Sequence, residues 1–84
     1  MNIELRPQAK EDIEFFKKKS PADLKRIKSL IAAILEAPFS GIGKPEALKY
    51  DLSGYWSRRV NQKDRIVYCI KNNTLIILQC RYHY

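Results

Sequence analysis

The chain is poor in the residues that loosen or staple a backbone. Three Gly and four Pro in 84 residues exclude a collagen-like or linker-rich chain, and 45% hydrophobic content leaves no disorder signature. Two cysteines and one histidine, at Cys69, Cys80 and His83, exclude a disulfide scaffold and do not have zinc-site spacing. Both cysteines lie in apolar runs and are expected to be reduced core thiols. No apolar run reaches the roughly 18 residues of a membrane span. Met1–Leu5 has neither the basic start nor the apolar stretch of a secretory leader. A cytoplasmic protein with no membrane partner is expected. Acidic residues are also scarce, nine against 16 Lys and Arg, for a net charge of +7 and a pI near 9.6.

That excess is uneven. Residues 1–40 hold eight basic and six acidic residues, whereas residues 41–84 hold eight and three. A basic C-terminal half with pI above about 9 has the electrostatics of a nucleic-acid binder. The length fits a single domain over residues 1–84. A domain of this size buries only about 60–65% of its unfolded surface, so a thin core is expected.

Hydrophobic periodicity divides the chain near Pro38. Asn2–Leu5 alternates and reads as a short strand. Pro7 suits a helix start; Ala9, Ile13 and Phe16 form an apolar stripe; Lys17, Lys18 and Lys19 suit a helix end. Ser20-Pro21-Ala22-Asp23 starts a second helix, with Ser20 as its cap. Leu24, Ile27, Leu30, Ile31, Ile34 and Leu35 mark its apolar face, and Pro38 stops it near Ala37. Residues 38–45 read as a loop, and a strand is expected to start at Leu48–Tyr50. Tyr55–Val60, Arg65–Lys71 and Thr74–Tyr82 are rich in β-branched and aromatic residues and read as three strands. The expected fold is α+β in the order β-α-α-β-β-β-β, a helical hairpin on a mainly antiparallel, twisted sheet.

The basic half also carries the chemistry. Glu46 is flanked by Lys44 and Lys49, which favour its ionised form. Arg58 and Arg59 follow Tyr55 and Trp56, Arg65 opens a strand, and His83 is the penultimate residue. A carboxylate, a histidine and several arginines suit metal-free RNA cleavage. A base takes the 2′-hydroxyl proton, an acid protonates the departing 5′-oxygen, and cations stabilise the phosphorane. Histidine, with an ordinary pKa near 6.5, serves as the acid at neutral pH. Arginine presents a fork that matches phosphate oxygens. Tyr55, Trp56, Tyr82 and Tyr84 read equally well as core aromatics and as base-stacking platforms.

Strand register decides whether these groups meet. Leu75, Ile77, Gln79, Arg81 and His83 alternate onto one face of a straight final strand. With a two-residue turn at Asn72-Asn73, Arg65 shares a face with Cys80 and Tyr82. A three-residue turn or one bulge instead puts Arg65 with Arg81 and His83. RNA cleavage requires the second arrangement or a bend in the tail.

Four segments carry a family resemblance: residues 41–49 (GIGKPEALK), 52–59 (LSGYWSRR), 64–68 (DRIVY) and 80–84 (CRYHY). From about Pro38 onward they resemble the YoeB (Txe) branch of the RelE-type toxins, while the N-terminal half agrees in pattern. The resemblance implies the toxin of a type II toxin–antitoxin pair, a ribosome-dependent mRNA endonuclease that cuts in the A site without a metal or other cofactor. It implies Glu46 as general base, His83 as general acid, Arg65 at the phosphorane, and Tyr84 positioning the substrate or His83. Lys49 and Arg59 would support the phosphate, joined in the RNA-binding set by Lys44, Arg58 and Arg81. The implied partners are an acidic antitoxin of the YefM or Axe kind, the 70S ribosome with its mRNA, and a second copy of the chain. Ile42, Ala47 and Asp64 depart from the residues common in that branch, and Asp64 is expected to set a negative charge beside Arg65. A basic module that binds RNA or the ribosome without cutting is the alternative. A gyrase-poisoning toxin of the same broad fold fits less well, because such relatives lack the Glu/Arg/His set.

Overall fold

The computed structural model describes residues 1–82. Strand β1 (Asn2–Leu5) is followed by helices α1 (Pro7–Lys19) and α2 (Pro21–Glu36), then strands β2 (Glu46–Ala47), β3 (Trp56–Arg59), β4 (Arg65–Lys71) and β5 (Thr74–Gln79). The sheet order is β1-β5-β4-β3-β2, with β1 parallel to β5 and the other pairs antiparallel. Two helices on a five-stranded, mostly antiparallel sheet match the expected architecture.

Both helices begin with Pro in the first turn, and α1 ends in three lysines. Ser20 does not cap α2 through its side chain; its hydroxyl donates to the Asp23 carboxylate at 2.9 Å. The apolar stripes meet the sheet as their spacing requires. Ala9, Phe16, Ile27, Leu30 and Ile34 pack with Ile66, Tyr68, Leu75, Ile77 and Cys80 in one core. Because strand side chains alternate, Ser57, Arg59, Arg65 and Val67 point to the opposite face.

Three expected boundaries move. The strand expected from Leu48 is a two-residue strand at Glu46–Ala47, followed by a 3-10 turn at Tyr50–Leu52. The Tyr55–Val60 strand runs from Trp56 to Arg59, and the last strand ends at Gln79 rather than Tyr82. Asn72 and Asn73 both have positive φ, 52° and 55°, the backbone of a two-residue hairpin turn that asparagine tolerates. Cys80 is buried in the core, whereas Cys69, on the other face, is only half-buried.

Candidate functional site

The loop entering the site is built around one arginine. Arg58 is fully buried, and its guanidinium donates to the carbonyls of Ala37, Ser40 and Ile42 and to the Tyr68 hydroxyl. Tyr68 in turn donates to the Pro38 carbonyl at 2.6 Å. Arg58 is therefore not available to RNA, contrary to its expected role. It points into the protein because it lies on the core side of β3, where the reversing loop leaves several carbonyls without strand or helix partners. Gly43 closes the loop against this post, its carbonyl accepting from Arg59 N at 2.7 Å.

Beyond Gly43 the chain enters β2 and sets Glu46 opposite Ser57, which pairs with Val67 on β4, while Arg59 pairs with Arg65. These rows bring Glu46, Ser57, Arg59 and Arg65 onto the face away from the helices. Arg65 Nη1 donates to Glu46 Oε1 at 3.0 Å and to Ser57 Oγ at 3.3 Å. Lys44, Pro45, Glu46, Arg59 and Arg65 line a shallow cleft. Three cations and one carboxylate give it a net positive field suited to an anion. Glu46 and Arg59 are exposed, and Arg65 is half-buried over the buried Ser57 hydroxyl. Lys44 holds a left-handed backbone, φ 51°, a conformation that costs a non-glycine residue about 1 kcal/mol or more. Lys49 is exposed two residues past β2.

Register is settled by a two-residue turn together with a bulge. Lys71 pairs with Thr74 and Tyr68 with Ile77, but Val67 pairs with Gln79, so Leu78 is the extra residue. The bulge turns Gln79 away from the face of Ile77 and onto that of Val67 and Arg65, and sends Cys80 into the core. The expected single face for residues 75, 77, 79 and 81 is thus broken. Arg81 does not reach the cleft, because the strand has ended; its guanidinium lies over the Phe15 ring of α1, 3.5 Å from the centroid. His83 and Tyr84 lie outside the described residues.

Asp64 does not face the cleft as expected. It is buried and accepts hydrogen bonds from Tyr82 N at 3.1 Å and Asn61 Nδ2 at 3.0 Å. Trp56 packs against the core and meets Phe39 at a ring separation of 4.9 Å, which favours the core reading for that aromatic. Tyr82 is 54% and Tyr50 92% exposed. Ser57 was absent from the expected set. Its signal was the strand period, which places it on the face of Arg59 two residues on.

Comparison with known proteins agrees with this fold. Residues 5–84 match the family model described as the YoeB-like toxin of bacterial type II toxin–antitoxin systems. The YoeB toxin of Synechocystis sp. is 53% identical over 73 residues, 87% of this chain and 85% of that protein. Staphylococcus aureus YoeB, solved in a heterotetramer with YefM, superposes with a TM-score of 0.91 at 42% identity, covering 100% of this chain and 98% of that one. The same toxin solved as a dimer gives 0.92, with the same identity and coverage. The chain therefore belongs to the YoeB-like toxins of bacterial type II toxin–antitoxin systems.

Proposed function

We propose that this toxin is a ribosome-dependent mRNA endonuclease that cleaves the message in the A site without a metal. The observation that carries the reading is the contact of Glu46 with Arg65 at 3.0 Å, in a cleft also lined by Lys44 and Arg59. A base next to a phosphate-binding cation is what in-line attack by a 2′-oxygen needs. Glu46 removes the 2′-hydroxyl proton, and that oxygen bonds to the adjacent phosphorus. Arg65, oriented by Ser57, stabilises the added charge of the phosphorane. The bond to the 5′-oxygen breaks as His83 delivers a proton to it, leaving a 2′,3′-cyclic phosphate and a 5′-hydroxyl. Lys44, Lys49 and Arg59 hold flanking phosphates, and Tyr84 positions the substrate or His83. Arg58 and Arg81 are not part of this set, since one is buried and the other is stacked on Phe15.

The partners follow from the relatives and from charge. An acidic antitoxin of the YefM kind covers the basic face, and the toxin pairs with a second copy, as the Staphylococcus aureus protein does. The site of action is the cytoplasm; among the described residues no helix is long and apolar enough to cross a membrane.

The test is cleavage mapping on ribosome-bound mRNA with the parent, Glu46→Ala and His83→Gln. Each variant is expected to fold and to lose about 10²–10⁴-fold in cleavage rate, the usual worth of an acid or base. Induction of the parent, but not of either variant, arrests growth. Equal cutting by parent and His83→Gln would remove the acid assignment. Tight ribosome binding with no cleavage by the parent would favour the non-catalytic module.

A further inference from the structure

Six arginines stand in the chain, and four have their charge accounted for. Arg6 pairs with Glu4 and Arg65 with Glu46, each at 3.0 Å. Arg58 is buried among its acceptors, and Arg81 lies over the Phe15 ring. Arg26 and Arg59 form no ion pair among the described residues. They are far apart in sequence and adjacent in space. Arg26 Nη2, from the half-buried side of α2, donates to the Arg59 carbonyl at 3.5 Å, the outer limit of a hydrogen bond. Asp23, three residues before Arg26, is the one acid within a turn of it on α2. That carboxylate is engaged instead by Ser20 Oγ and Asn61 Nδ2, at 2.9 and 3.2 Å.

The backbone fixes which side of β3 Arg26 occupies. Val60 N–H donates to the Asp64 carbonyl, in the turn toward β4. The Arg59 carbonyl, across the same trans peptide, points the other way, toward the loop that leads into β2. Arg59 N–H faces that loop too, donating to the Gly43 carbonyl at 2.7 Å. Leu30, one turn beyond Arg26 on α2, lies so close to Gly43 that an added Cβ there would meet its Cδ2 at 2.8 Å. Arg26 and Leu30 thus run alongside Gly43 and the segment that brings Lys44 into the cleft. The Arg26 guanidinium stands beside the Arg59 end of the cleft that Lys44, Arg59 and Arg65 line.

One weak bond leaves most of the guanidinium N–H groups of Arg26 unused, in a fork that matches phosphate oxygens. Two unpaired cations at one end of a strand, next to Lys44, make a field that a further anion relieves. A single RNA strand offers such anions in series, and proteins that hold one track its backbone with a basic groove. We propose that Arg26 binds a phosphate of the message strand beyond those held in the cleft, carrying the strand from the open face of the sheet round the end of β3 to α2. This rests on the reading of the cleft as the message site, and its test separates the two.

The test is binding to ribosomes programmed with a message that has a 2′-deoxy nucleotide at the attacking position, so that it cannot be cut. A parallel series of such messages carries one neutral methylphosphonate at each flanking position in turn. Arg26→Ala is expected to bind the unmodified message about tenfold more weakly, and its slope of log K against log salt to flatten by about 0.7. At one flanking position the methylphosphonate should weaken the parent and cost Arg26→Ala nothing further, the signature of a lost pairwise contact. Arg26→Gln keeps an N–H donor for the Arg59 carbonyl without the charge, and is expected to lose as much; it carries the comparison if Arg26→Ala does not fold. Parental affinity and slope in the Gln variant would assign Arg26 to the Arg59 carbonyl alone and overturn the proposal. So would a weakened variant that every methylphosphonate still costs as much as the parent, since the charge then meets ribosomal RNA rather than the message. If the coupling is found but the parent leaves a cleavable message intact, the phosphate contact stands and the endonuclease reading falls. A parent that does not bind programmed ribosomes removes both.

Discussion

The Arg58 guanidinium donates to three loop carbonyls and one hydroxyl from a fully buried position. Truncating it removes these four bonds and leaves the Ser40 and Ile42 carbonyls without that donor, while the Ala37 carbonyl keeps the Ser40 N–H at 3.5 Å; each acceptor left unpaired costs about 1–3 kcal/mol. Arg58→Ala is therefore expected to destabilise the fold by more than about 3 kcal/mol in urea denaturation. Arg59→Ala, one residue on but facing solvent, should change stability by no more than about 0.5 kcal/mol. Cys80 supplies a second contrast. Burial, with a smaller contribution from Asp12, pushes its thiol up from 9.0 to about 12. Between those values the folded chain keeps a proton that the unfolded chain has lost. The stabilisation is complete below about pH 9 and drains away as pH rises toward 12. Denaturation at pH 8 and pH 10.5 should show a steeper loss for the parent than for Cys80→Ala. Burial raises the half-buried Cys69 thiol less, with Arg6 and Lys71 opposing it, so thiol-labelling of the native chain is expected at Cys69 first.

At the scale of elements, the loop before β2 matters as much as the strands it joins. Gly43 has φ +85°, and a Cβ there would lie 2.8 Å from a Leu30 methyl and 3.0 Å from Arg58 Cβ. Left-handed backbone and overpacking act together, so Gly43→Ala should cost at least about 2 kcal/mol. On the proposed function it should also reduce message cleavage, because the loop carries Lys44 and leads into Glu46; thermal unfolding and a cleavage assay read the two effects separately. The bulge at Leu78 is the other decisive local feature. It turns Gln79 to the face of Arg65 at the point where β5 ends, leaving the next residues to be steered by Asp12 and Asp64 rather than by the sheet.

Across the whole molecule, helices cover one face of the sheet, Lys44, Arg59 and Arg65 line a cleft on the other, and the net charge is +7. The ribosome association proposed above should therefore weaken with salt. Each contacted phosphate on a single strand contributes about −0.7 to the slope of log K against log salt. Arg59→Ala should flatten that slope by about 0.7, measured by ribosome pelleting between 50 and 200 mM salt. An acidic antitoxin bound to the same face would show a similar dependence.

Much of this was determined by sequence alone. Helical and strand periods, two prolines at helix starts and the Asn72-Asn73 turn specify the elements, because each is a local preference repeated along the chain. Charge asymmetry and the segments from Gly41 onward pointed to the family. Even the division between Arg58 and Arg59 was legible in principle, since neighbours on a strand face opposite ways. Local preference could not show which of the two faces the helices would cover. Nor could it show that β5 would carry a bulge, or that Asp64 would turn from Arg65 toward Tyr82. Those depend on which unpaired backbone groups are buried once the layers pack, and the tertiary structure alone decided them.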